Sequence, residues 1–195
     1  MARHRPSRPY HHGNLRRAVL DAALDVIADQ GPGAVSLRDL ARRAGVSHAA
    51  PAHHFGDRAG LLTAVAAEGN GLLAESLEAA ADLADLGVRY VRFALAHPAY
   101  FQVMYQPHLL HADAPELAAA RDRVDRTLRA AIAALPEAER GGPDPESARL
   151  AAWSAAHGFA TLALSGSLDP ALAGHDDPAE VFRALTPLMF NPVPR

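Results

Sequence analysis

Apolar residues recur at helical spacing along nearly the whole chain, and nowhere do they alternate with period two for more than a few residues. Leu15, Val19, Ala22, Ala23, Val26 and Ile27 share one face of a first helix that Gly31 ends. Ser36 is placed to cap a second, with Asp39 three residues on and Leu37, Leu40, Ala41 and Ala44 as its apolar stripe before Gly45. Ser47 caps a third short helix that ends near Phe55, and Asp57 caps a long fourth from Arg58 towards Leu83. The pattern predicts further helices over GVRYVRFALAH up to Pro98, AYFQVMYQ up to Pro107, PELAAARDRVDRTLRAAIAAL between Pro115 and Pro136, ESARLAAWSAAHGFATLALSG and PAEVFRALTPLMF. PEAERGGPDP, dense in proline and glycine, is a loop. The expectation is an all-α chain of about nine helices, without strands or repeats.

Composition narrows the function. There is no cysteine, so disulfides, thiolate zinc sites and a cysteine nucleophile are excluded. The first thirty residues hold no apolar stretch of signal-peptide length, and no eighteen apolar residues run together, which points to a cytoplasmic protein with no membrane span. The net charge of -3 hides a division: residues 1–60 carry nine arginines against five acids, the remainder ten against seventeen. One section is suited to meet an anion and the other is not. No Gly-x-Ser-x-Gly elbow, P-loop, dinucleotide fingerprint or His-Glu-x-x-His helix is present, and the expectation is a protein that is not an enzyme and needs no cofactor.

Two short helices joined by Ala44-Gly45-Val46-Ser47 meet the requirements of a helix-turn-helix: a glycine in the turn, a small residue beneath it, a buried valine and a capping serine. With that spacing, residues 15–62 resemble the N-terminal pattern of the TetR family of bacterial transcriptional regulators nearly element for element. YHHGNLR at 10–16 and the Trp153, His157, Gly158 combination are similar to the branch of that family named for a tryptophan, a histidine and a glycine in its regulatory domain. The resemblance implies a flexible Arg-rich arm (1–13), a three-helix DNA-binding domain (14–60) and a helical-bundle ligand-binding and dimerisation domain (61–190).

The DNA-facing residues it implies are Ser36, Arg38, Arg42, Ser47, His48, Ala49, Ala50, Ala52, His53, His54 and Arg58. Ser47 sits where a helix N-terminus can hold a phosphate. Alanine methyls suit a thymine methyl and a histidine suits a purine edge, while His53, His54 and Arg58 are placed for phosphates. Pro51 falls early enough in the third helix to cost at most about one hydrogen bond. Phe55 reads as a core plug. The family commonly has a tyrosine where Ala52 stands, a lost phosphate contact that Arg42, Arg43, His53 or the arm's Arg3, Arg5 and Arg8 are expected to offset.

Adjacent histidines such as His53 and His54 diverge by about 100° on a helix and cannot chelate one ion alone. His108 and His111, with Asp113 nearby, have a usable metal spacing, but ordinary loop histidines are the favoured reading and no metal is expected. In the acidic section the resemblance implies an effector pocket, with Phe93, Tyr100, Phe101, Met104, Trp153 and His157 as its candidates and His157 as the polar handle. For any one of these side chains, plain core is the favoured reading. Gly158 permits close helix approach or a ligand, and the last two long helices, with Leu150, Ala151, Leu162, Leu164, Val181, Leu185, Leu188 and Met189, suit a homodimer. The implied partners are a palindromic double-stranded operator, an unidentified small-molecule effector and a second copy of the chain. The function the resemblance implies is that of a ligand-released repressor; the alternatives are an activator or architectural protein with no ligand, and behind them a helical-bundle enzyme.

Overall fold

The computed structural model describes residues 12–136 and 144–190, and side chains from 15 to 188 within them. Arg3, Arg5 and Arg8 of the expected arm lie outside, as do residues 137–143 of the expected loop and the Met189 side chain. The described residues form ten α-helices and no strand: α1 (His12–Gln30), α2 (Leu37–Arg43), α3 (Ala49–Phe55), α4 (Arg58–Glu78), α5 (Leu83–Ala96), α6 (Pro98–Met104), α7 (Pro115–Ala134), α8 (Pro145–Leu164), α9 (Asp169–Leu172) and α10 (Pro178–Phe190). Short 3-10 turns at Pro32–Ala34 and Pro107–Leu109 complete them.

Local chemistry sets most boundaries. Asp57 accepts the Gly60 amide at 2.7 Å and starts α4. Asp82 accepts the Asp85 amide at 2.7 Å while Asp85 reaches back to the Ala81 amide at 3.1 Å, so a new helix starts there. That cap is why α4 stops at Glu78 instead of running on towards Leu83. Asp144 takes the amides of Glu146 and Ser147, both at 3.1 Å, to start α8. Pro98, Pro115 and Pro145 stand in first turns, where a missing N–H costs nothing. Ser36 departs from expectation: its carbonyl accepts the Leu40 amide at 3.0 Å, but its side chain makes no cap bond. The short α9 was not foreseen.

α4 runs through the middle of the molecule, packed on α5, α6 and α7, while α8 and α10 pack on α5. One apolar core continues from Leu15 in α1 to Phe182 in α10, and Leu20, Ile27, Leu40, Leu61, Leu73 and Leu117 are fully buried within it. Each such leucine contributes about 1.5–3 kcal/mol of transfer free energy. Three helix contacts are close enough to demand glycine: a Cβ on Gly60 would lie 2.0 Å from the Phe55 carbonyl oxygen, one on Gly69 would lie 2.8 Å from the Met104 sulfur, and one on Gly87 would lie 2.5 Å from Cε1 of Phe182. No described helix is long and apolar enough to cross a membrane.

Candidate nucleic-acid interface and ligand cavity

The turn between α2 and α3 is a Schellman cap. Gly45 takes φ +66, its amide donates to the Arg42 carbonyl at 3.3 Å, and the Val46 amide donates to the Ala41 carbonyl at 3.0 Å. Leu40, Ala41 and Pro51 face inward and are buried, so the opposite side of α3 must face solvent. Ser47, His48, Ala49, Ala52 and His53 are all exposed there, while Ala50, His54 and Phe55 are half-buried. The helix itself begins at Ala49 with His48 as N-cap, one residue later than Ser47. Pro51 is then its third residue and breaks no bond of the helix.

On α2, Arg38, Arg42 and Arg43 are exposed. Arg42 makes a 3.3 Å pair with Asp39; Arg38 and Arg43 have no carboxylate partner among the described residues. Ser36 is half-buried. Arg58 is not the free phosphate ligand expected of it: its Nε donates to the Val35 carbonyl at 3.1 Å and an Nη to the Pro32 carbonyl at 2.7 Å, which pins the turn before α2 onto α4. Phe55 packs on the core beneath the Arg16 guanidinium, 5.6 Å from the ring centre.

Two ties connect this end to the larger bundle. Glu68 of α4 accepts from Arg17 of α1 and from the Tyr100 hydroxyl of α6, both at 2.5 Å. Burial first, and then the bond to Glu68, push the Tyr100 phenol up to about 12. His111, after the second 3-10 turn, meets Asp57 at 3.0 Å, and its amide donates to Thr63 at 2.9 Å. The bond from the Gly60 amide and then that from His111 hold Asp57 below the usual carboxylate range. His111 of the His108, His111, Asp113 spacing thus has Asp57 as a hydrogen-bond partner, and no cluster of three metal-ligating side chains occurs among the described residues.

Within the bundle, Tyr90, Phe101, Tyr105, Trp153 and His157 form one aromatic cluster. The His157 ring centre lies 4.4 Å from that of Tyr105 and 5.8 Å from that of Trp153. The Tyr90 hydroxyl joins the Tyr105 hydroxyl at 2.7 Å and Nδ1 of His157 at 2.9 Å. Burial raises both phenols above their ordinary values and lowers His157, favouring its neutral imidazole.

Beside the cluster, between α4, α7, α8 and the end of α6, lies a cavity of about 430 Å³. That is within the range of small-molecule sites. Met104, Tyr105, Val124, Leu128 and Trp153 supply its apolar wall; Asn70, Arg121, Asp125 and Arg149 supply its polar groups. A neighbouring apolar void bordered by Leu86, Tyr90 and Phe182 holds only about 40 Å³, room for water and not for a ligand.

Of the six candidate effector residues, Met104 and Trp153 line the large cavity. Phe101 lies behind it, its ring centre 5.2 Å from His157. His157 is half-buried, its Nδ1 is held by Tyr90, and it borders neither space. Phe93 is core beside His97, and Tyr100 is spent on Glu68. Among the described residues nothing from another helix lies within 4 Å of a Cβ on Gly158, so no close helix approach within the described chain explains it. Sequence reasoning missed Asn70, Arg121 and Arg149. Only Asn70 left a signal, a lone amide in the apolar face of α4 between Ala66 and Leu73.

A family model described as "Bacterial regulatory proteins, tetR family" matches residues 19–65, and one described as "Tetracyclin repressor-like, C-terminal domain" matches residues 83–189. The HTH-type transcriptional regulator BetI of Rhizobium meliloti is 53% identical over 49 residues, 25% of this chain and 24% of that protein. The HTH-type transcriptional repressor Rv3405c of Mycobacterium tuberculosis is 40% identical over 57 residues, 29% of this chain and 30% of that protein. The matches thus span less than a third of either relative. A solved structure of a protein with unknown function from Rhodococcus sp. RHA1 is 35% identical, with a TM-score of 0.77 over 97% of this chain and all of that one.

Proposed function

The chain belongs to the TetR family of transcriptional regulators, and from that premise we propose that it is a homodimeric repressor released from a palindromic operator by a small molecule. Residues 14–60 act as the reader and residues 61–190 as the responder. The observation that carries the reading is the one-sided exposure of α3: Pro51 is buried, and His48, Ala49, Ala52 and His53 stand out on the other side, flanked by Arg38 and Arg43, which have no carboxylate partner among the described residues. In a two-fold dimer the two copies of α3 enter successive major grooves, roughly 34–36 Å apart. The two arginines and His53 meet phosphates; the alanines and His48 meet base edges.

Dimerisation uses α8 and α10. Leu150, Leu162, Leu164, Leu185 and Leu188 are exposed on these helices, and Leu188 keeps 76% of its surface. Such apolar exposure is that of a face meant to be covered. The effector occupies the 430 Å³ cavity. Its walls include the end of α6, and α6 shares Glu68 with α1, so a ligand that shifts Met104 also shifts the helix that supports the reader. The linkage is reciprocal: a ligand that weakens DNA binding is itself bound less tightly by the DNA complex.

Selection of bound sequences from a random double-stranded pool tests the reading. A palindrome with half-sites about one turn apart is expected, together with an affinity that falls steeply between roughly 50 and 200 mM salt. Weak binding to every sequence alike would refute operator reading.

A further inference from the structure

We propose that the 430 Å³ cavity takes a monoanionic ligand with an apolar body, its acidic group held by Arg121; this rests on the effector reading above. The lining carries three charged side chains, and two of them cancel: Arg149 pairs with Asp125 at 3.1 Å and with Glu146 at 2.5 Å. Arg121 is left over. Among the described residues it has no carboxylate partner, and its one hydrogen bond is a long 3.3 Å contact from an Nη to the Met104 carbonyl. A guanidinium has five N–H donors, so most of those on Arg121 have no protein acceptor among the described residues. A half-buried cation against Val124, Leu128 and Trp153 is costly without a counter-charge, and a planar carboxylate matches its fork in two parallel bonds.

The rest of the wall fixes the body of the ligand. Met104, Val124, Leu128 and the Trp153 indole offer apolar contact. Asn70 is 5% exposed and donates its Nδ2 to the Ala66 carbonyl at 2.7 Å, while its amide oxygen accepts nothing among the described residues. That oxygen suits a hydroxyl or N–H on the ligand. A dianion would need a second free cation, and the lining has none: Arg149 is already neutralised. A ligand cation would meet Arg121 directly.

The test uses a matched pair of dyes on the full-length protein: 8-anilinonaphthalene-1-sulfonate, an apolar monoanion, and N-phenyl-1-naphthylamine, the same rings without the sulfonate. Trp153 is the chain's only tryptophan and lines the cavity, so energy transfer from it reports on a dye bound there. In Arg121→Gln the affinity for the sulfonate is expected to fall roughly tenfold to a hundredfold, the value of a charge-assisted bond, while the neutral dye changes by less than about twofold. Arg121→Lys recovers part of the loss, since charge remains without the fork. Arg121→Met, which keeps the aliphatic stem, replaces the glutamine variant should that one fail to fold. Equal losses for both dyes, or no loss for the sulfonate, would overturn the assignment of Arg121. If the wild-type protein takes the neutral dye with transfer from Trp153 but rejects the sulfonate, the anion class fails and the cavity stands as a ligand site. If neither dye quenches Trp153, the effector reading of this cavity falls with it.

Discussion

Replacing Gly87 with alanine tests the α5–α10 contact with a change of one methyl group, because two effects of opposite sign meet there. In a helix interior alanine is favoured over glycine by about 1 kcal/mol, and on propensity alone the variant gains stability. The new Cβ, however, would sit 2.5 Å from Cε1 of Phe182 and 3.4 Å from two further ring atoms. That ring has little room to retreat: it is 4% exposed, it meets Phe159 with ring centres 5.4 Å apart, and the void it borders holds only about 40 Å³. Overpacking of this kind costs about 1–3 kcal/mol, so the net effect is a loss of up to about 2 kcal/mol. Gly71→Ala, also within a helix but with nothing inside 4 Å of the added atom, is the control and keeps the propensity gain. For a chain of 195 residues each kcal/mol moves the thermal midpoint by about 2–4 °C. At one fixed protein concentration, Gly71→Ala should melt a few degrees higher than wild type and Gly87→Ala up to about 8 °C lower. A rise for Gly87→Ala equal to that of Gly71→Ala would refute the packing argument.

Arg58→Ala removes the tie to the Val35 and Pro32 carbonyls and should cost about 1–3 kcal/mol in urea unfolding, with the salt slope of DNA binding unchanged. Arg43→Ala should do the reverse, leaving stability intact and flattening the slope by about 0.9 if the residue neutralises one phosphate. The thermal midpoint should fall in two stages on acidification. His157, held below 6.5 by burial, is protonated first in the unfolded chain, so its stabilisation is complete above pH 6.5 and lost as pH falls through that value to the lower folded one. Asp57, held below 3.8, contributes above that value and fails as pH drops through its folded value. A series of melts from about pH 8 to about pH 2 should show both stages and lose the upper one in His157→Gln. Finally, the double variant Leu162→Arg with Leu188→Arg should sediment as a folded monomer; an unchanged dimer would move the interface away from α8 and α10.

Helical class, element order and the turn at Gly45 were legible in the sequence because each is a local matter. Period, caps and a left-handed glycine act within five or six residues, as the Ala44-Gly45-Val46-Ser47 turn illustrates. Even there a pattern can mislead. The apolar run after Arg58 continues in helical phase past Glu78, and only the paired Asp82 and Asp85 caps reveal that the chain changes direction. The face of α3 was half-legible: the sequence offered its histidines and alanines, and packing chose which of them look outward.

Partners distant in the chain were not legible. Arg58 carries the right charge for a phosphate, yet the carbonyls of Pro32 and Val35 are the acceptors that the fold brings to it. Tyr100 and Phe93 are as aromatic as Trp153, but the roll of their helices sends them to Glu68 and to the core, while Asn70 and Arg121 from two other helices arrive at the cavity. A single helix fixes the spacing of its own side chains to a fraction of a turn and contains no information on how its neighbours cross it. The sequence by itself determined which surfaces each helix would hide; only the tertiary packing decided which residues from four different helices would share one space, because that depends on crossing angles and on contacts as small as those at Gly69 and Gly87.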